Sequence, residues 1–199
     1  MQWYEDEVRA LECANLKLAK GNRPPVFYGS SSIRLWETLA EDVAPGVLNL
    51  GFGGSTLEAC DHFFARLVPP AHPCSLLLYA GDNDLGDGRG VDQVFASFRS
   101  LADKVAASLR TIPFGFISVK PSPVRYSILG SIRRLNTLVR QDIESRPSGY
   151  YVDVFSPMLD ESGKPRGELF LEDGLHLNRQ GYLLWGRLLE PYRHHIFID

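Results

Sequence analysis

Three consecutive serines, Ser30, Ser31 and Ser32, follow a glycine at the end of an apolar run in FYGSSSIRLW, Phe27 to Trp36. Much later, EDGLHLN places Asp173 three residues before His176. A serine transfers acyl groups when a histidine takes its proton, an acid orients that histidine, and donors receive the oxyanion. The Asp-x-x-His spacing lets the carboxylate fold back onto one imidazole nitrogen and leave the other free. Candidate donors exist too: the glycines of GFGGS (Gly51 to Ser55) and Asn83 in GDND (Gly81 to Asp84). Each piece also has an ordinary reading as turn hydroxyl, helix cap, positive-φ glycine, turn asparagine or exposed loop pair. Their joint placement decides between the two readings.

That placement follows from the elements around them. PVFYGS (Pro25 to Ser30), VLNLGFGG (Val47 to Gly54), SLLLYAGD (Ser75 to Asp82), FGFISVK (Phe114 to Lys120) and YYVDVFS (Tyr150 to Ser156) read as five strands with their closing turns. Continuous rather than alternating apolar runs predict strands covered on both faces. Between them, Val91, Val94, Phe95, Phe98, Leu101, Val105 and Leu109 form one helical stripe. Ile128, Ile132, Leu135, Leu138 and Ile143 form another. Tyr182, Trp185, Leu188 and Leu189 predict a last helix, capped by Asn178 and closed near Pro191. Tyr4, Val8, Leu11 and Leu18 predict one before the first strand. The alternation implies right-handed crossovers and a three-layer α/β/α sandwich around a parallel sheet. Ligands bind at the carboxyl ends of such strands, and the first three ends carry GSSS, GFGGS and GDND.

Composition narrows the alternatives. The chain has 199 residues, 44% of them hydrophobic, which suits one domain over 1–199, its first 20 residues a helical extension packed on it. A net charge of -3 supplies no basic stripe for nucleic acid. No apolar run reaches the roughly 20 residues of a membrane span. MQWYEDEVRA is acidic and amphipathic, unlike a signal peptide. Cys13, Cys60 and Cys74 lack CxxC or Cys/His metal spacing and read as reduced, cytoplasmic thiols. His62, His72, His194 and His195 read as solvated or partly packed side chains. GFGGS lacks the full GxGxxG dinucleotide pattern.

The set of motifs resembles the SGNH, or GDSL-like, hydrolase superfamily. GSS near the start, NLGFGG (Asn49 to Gly54), GDND and DGLH (Asp173 to His176) stand in that family's order across nearly the whole chain. The resemblance implies a flavodoxin-like fold and ester hydrolysis without metal or organic cofactor. It implies Ser31 as nucleophile, His176 and Asp173 as its catalytic partners, and an oxyanion hole from Ser31, Gly54 and Asn83. Ser30 departs from the pattern, since the family has aspartate there. That acid is no triad member, so the departure bears on geometry and polarity around the nucleophile. WYEDEV and GSSSIRLW are also similar to a group of small bacterial GDSL-like proteins.

The expected substrate is a small-molecule ester: a short-chain acyl or acetyl ester of a lipid, small molecule or carbohydrate, with thioesters also compatible. Trp36, Phe52, Leu85, Tyr126 and Leu175 flank the motif turns and are candidates for an apolar acyl pocket. Lys120 and Arg125 either meet an anionic leaving group or are solvated. Two rivals stand beside the enzyme reading: a non-catalytic sugar or acyl binder on the same fold, and an FMN or phosphate binder. Oligomeric state is left open.

Overall fold

The computed structural model describes residues 1–15, 21, 23–110 and 112–197. Strand β1 (Pro25–Gly29) is buried at all five positions. Its side chains alternate between two packed layers, as a pleated strand requires: Val26 and Tyr28 enter one core, Phe27 the other. Strands β2 (Leu48–Gly51), β3 (Ser75–Tyr79), β4 (Phe114–Ile117) and β5 (Gly149–Val152) complete the sheet in the order β2-β1-β3-β4-β5. All four pairings are parallel. Each strand is shorter than its apolar run, because the polar and glycine-bearing ends leave the ladder for turns.

The helices, in chain order, are α1 (Glu5–Asn15), α2 (Ser31–Arg34), α3 (Leu39–Asp42), α4 (Leu57–Leu67), α5 (Asp82–Gly86), α6 (Val91–Ser108), α7 (Leu129–Glu144), α8 (Arg179–Leu189) and α9 (Arg193–Ile196). Residues of α4, α6 and α7 fill one core with Phe63, Phe98 and Leu135; α2, α3, α8 and α9 fill the other with Ile33, Trp36 and Trp185. This is the expected three-layer α/β/α sandwich. The predicted cap holds as well: the Asn178 side chain accepts the Gln180 and Gly181 N–H groups. Among the described residues, no helix is long and apolar enough to cross a membrane.

Helix α1 includes Tyr4's neighbour Glu5 and the buried Val8; Leu18 lies outside the described residues. Its acidic face meets Arg66 of α4, which bonds Glu5 at 2.8 Å and Glu12 at 2.7 Å. The Tyr4 hydroxyl donates to the Gly54 carbonyl at 3.2 Å, and Glu7 accepts the Gly53 N–H. The chain's beginning therefore grips the GFGGS turn.

The strand order reverses between β1 and β3, the kind of switch point at whose carboxyl ends open parallel sheets bind ligands. Gly29 makes the junction possible. Its φ is 141°, and a Cβ there would lie 1.8 Å from the Tyr79 carbonyl oxygen. The Ser30 N–H then donates to that same oxygen at 2.9 Å, and α2 starts at Ser31.

Candidate active site

The three serines are not equivalent. Ser30 and Ser32 are each 1% exposed, and neither hydroxyl has a partner among the described residues. Ser30 occupies the N-cap position of α2 without capping it through its side chain. Ser31 alone is half-open. Its Oγ lies 3.2 Å from His176 Nε2.

The histidine arrives from 145 residues away, on the loop before α8. Asp173 builds that loop. Its Oδ1 accepts the Leu175 N–H at 2.8 Å and the His176 N–H at 2.9 Å, while its Oδ2 meets His176 Nδ1 at 2.6 Å. One carboxylate thus closes the turn and orients the ring. The Leu175 amide and the His176 ring and amide hold the Asp173 carboxyl down at about 2. Ser31, His176 and Asp173 form one hydrogen-bonded chain, with the Nε2 nitrogen turned to the hydroxyl.

The donor candidates stand on the turns that follow β2 and β3. Gly54 is exposed and adopts φ 67°, a conformation that favours glycine. Asn83 follows β3 at the start of α5. Its Nδ2 donates to the Ser55 carbonyl at 3.1 Å, and its Oδ1 accepts from Arg125 Nη2 at 3.2 Å. One hydrogen of the Asn83 amide therefore ties the asparagine to the GFGGS turn.

Several sequence expectations need correction. Trp36 and Phe52 do not line a pocket: they are 1% and 0% exposed and belong to the two cores. Trp36 stacks on Tyr182 at 5.2 Å between centroids and donates its indole N–H to Asp42. Phe52 packs edge-on against Tyr4 and Phe63. Leu85 is also buried, in the core that holds Phe52. Leu175 is half-buried and Tyr126 is exposed. Two unanticipated apolar side chains, Val124 and Leu171, project beside the histidine loop; the Val124 N–H donates to the Gly174 carbonyl and the Leu171 N–H to that of His176.

Lys120 is neither solvated nor open to a leaving group. It is 1% exposed, and its Nζ bonds Asp82 Oδ2 at 2.8 Å and the Tyr79 hydroxyl at 3.2 Å. Burial alone would lower the Lys120 pKa and raise that of Asp82. Their mutual attraction outweighs it, so the lysine is held above its ordinary value and the aspartate below. This buried pair supports the turn from beneath: Asp82 Oδ1 also accepts the Asn83 N–H at 3.1 Å. Asp84 is a second buried acid. It accepts the Leu57 N–H at 2.9 Å, and burial pushes its carboxyl up to about 6. The signal for both was the pair of acids around Asn83 in a turn that follows the most apolar strand.

Comparison with known proteins agrees with this architecture. A sequence profile of the GDSL-like Lipase/Acylhydrolase family matches residues 20–184. No curated protein matches the sequence significantly. Among solved structures, a GDSL-like lipase from Bacteroides thetaiotaomicron superposes with TM-score 0.81 at 22% identity, covering 94% of this chain and 97% of the other. The lipase/acylhydrolase from Enterococcus faecalis gives 0.69 at 17% identity, covering 89% and 99%. The OSK domain of Drosophila Oskar gives 0.70 at 16%, covering 89% and 94%. At these identities the likeness speaks for the fold, and the profile speaks for the family. The chain belongs to the GDSL-like Lipase/Acylhydrolase family, and is a hydrolase that acts on esters.

Proposed function

We propose that this hydrolase works as a serine esterase through an acyl-enzyme on Ser31. The observation that carries the reading is the continuous contact from Ser31 Oγ to His176 Nε2 and from His176 Nδ1 to Asp173 Oδ2, at 3.2 and 2.6 Å. His176 removes the hydroxyl proton as Ser31 Oγ bonds to the ester carbonyl carbon. Asp173 fixes the tautomer and stabilises the imidazolium. The Ser31 and Gly54 backbone N–H groups and the Asn83 amide receive the oxyanion. The tetrahedral species collapses, the carbon–alkoxide bond breaks, and His176 protonates the departing alcohol. Water then attacks the acyl-enzyme, passes its proton to His176, and releases the acid as Ser31 recovers its hydrogen.

The substrate we favour is a short-chain acyl or acetyl ester of a lipid, small molecule or carbohydrate. Val124, Tyr126 and Leu171 are 61%, 49% and 50% exposed, an apolar rim that suits an uncharged acyl or alcohol portion. The free thiols of Cys13, Cys60 and Cys74 support a reducing, cytoplasmic setting. A fluorophosphonate probe tests the nucleophile directly. Wild type should label rapidly and Ser31→Ala should not; equal labelling of both proteins would overturn the assignment. Turnover of p-nitrophenyl esters of increasing chain length, beside acetylated sugars, then ranks the acyl and alcohol preferences.

A further inference from the structure

Arg125 sits in the short helical turn Pro123–Ile128 after β4, forty-two residues from Asn83. Its Nη2 donates to Asn83 Oδ1 at 3.2 Å. Its guanidinium abuts Gly86, the last residue of α5, with its Nη1 end: a Cβ there would come 0.7 Å from Nη1 and 1.9 Å from Cζ. The Nε is buried and has no partner among the described residues. Nor does Arg125 form an ion pair with a carboxylate among them, whereas Arg66, Arg89, Arg146 and Arg179 all do. The hydrogen bond of this cation goes to a neutral amide, while its charge also acts through space on the buried Asp82.

We propose that Arg125 is a positioning residue for catalysis, acting through Asn83, and that Gly86 exists as the seat for its guanidinium. The inference rests on the reading of Asn83 as an oxyanion donor. An asparagine amide has two nearly isosteric orientations, and only one offers N–H to an oxyanion. Arg125 demands an acceptor at one end, and the Ser55 carbonyl demands a donor at the other. Together they fix the amide so that its remaining N–H is free for substrate. A cationic donor on Oδ1 also draws electron density from the amide nitrogen and strengthens that N–H as a donor. Without Arg125 the amide could turn its oxygen toward the developing negative charge.

Gly86→Ala makes the test independent of any change at Arg125. Gly86 is helical and outside the left-handed region, so alanine suits its backbone, and the obstruction is the far end of a flexible side chain. Arg125→Met, Arg125→Lys and Gly86→Ala are each made in the full-length wild type and in Asn83→Ala, with thermal midpoints recorded. On a neutral p-nitrophenyl ester, Arg125→Met and Gly86→Ala should each lower kcat about 10- to 100-fold with little change in KM, the worth of one charge-assisted hydrogen bond. Arg125→Lys should recover part of the loss. In the Asn83→Ala background the same changes should alter kcat less than about twofold, because the residue they act through is gone. Full additivity in that background would overturn the proposal while leaving Asn83 as a donor. So would a loss confined to KM for an ester bearing a carboxylate, which would make Arg125 a substrate-anion site. A fully active Asn83→Ala would sink the oxyanion reading itself, and the proposal with it.

Discussion

Asp173→Asn separates the two tasks of one carboxylate. The substituted side chain can keep its oxygen where Oδ1 stands, and so retain the Leu175 and His176 backbone N–H groups at 2.8 and 2.9 Å. The turn that carries the histidine should survive. At the other position, however, an acceptor becomes an NH2 donor facing His176 Nδ1 at 2.6 Å. That nitrogen must then be unprotonated, so the ring proton moves to Nε2. Nε2 faces Ser31 Oγ at 3.2 Å and would offer a hydrogen where it must accept one. The base is removed by tautomer rather than by displacement. The expected loss in kcat is up to about 10⁴, or about 5 kcal/mol of transition-state stabilisation, as in triads where the orienting acid becomes an amide. With Asp173 held at about 2, the wild-type acid is ionised across any practical assay range. The assay is p-nitrophenyl acetate turnover together with fluorophosphonate labelling rate, with Asp173→Ala as the variant that loses the turn as well. An Asp173→Asn protein whose kcat stayed within about threefold of wild type would refute the tautomer argument and demote Asp173 to a loop-building residue.

Asn83→Ala should lower kcat by roughly 10²–10³ and change KM less, since the donor acts on charge that develops in the transition state; a loss seen only in KM would mark it as a ground-state binding residue. Ser30→Ala should retain a substantial share of activity, because its buried hydroxyl has no partner among the described residues; an inactive Ser30→Ala beside an active Ser31→Ala would shift the nucleophile by one residue. Asp84 links stability to pH. Its folded-state pKa stands above the unfolded one, 6 against 3.8, so folding favours its protonated form and stability falls as pH rises between them, by about 3 kcal/mol at the limit. Asp84→Asn, which keeps an acceptor for the Leu57 N–H, should therefore gain on wild type in urea unfolding from pH 4 to pH 8; a pH-independent difference would contradict this.

The strands were legible because a doubly covered strand has no polar alternation: PVFYG and SLLLY can only be buried on both faces. Asp173 and His176 were legible because their contact is local, closed within one turn. What escaped was long-range pairing. Lys120 looks solvated until its partner Asp82 is known, and that partner is 38 residues upstream. Arg125 and Asn83 meet only because β4 lies beside β3. Trp36 and Phe52 were misplaced for another reason. An aromatic next to a motif turn serves a pocket or a core equally well by type and spacing; only the helices packed over it decide. Ser31 could be chosen from its neighbours by family pattern, whereas its distinctive openness is a property of the β1–α2 junction and appears in no single residue.

The distance along the chain between Ser31 and His176, its proposed base, has a consequence in time. Synthesis runs at about 5–20 residues per second, so the 145 residues that separate Ser31 from His176 take roughly 7–30 s to add. Throughout that interval a growing chain carries the Ser31 hydroxyl without His176. β1 is also waiting, since it lies between β2 and β3 and needs both to be covered at its edges. The proposed nucleophile is thus made early and meets its proposed base only 145 residues later. On the proposed mechanism, a ribosome that stalls before the Asp173–His176 turn leaves a fragment holding Ser31, Gly54 and Asn83 but unable to cleave esters through them. Hydrolytic activity by that mechanism reports chains translated past His176, which makes a chromogenic ester a readout of synthesis through that turn as well as of folding.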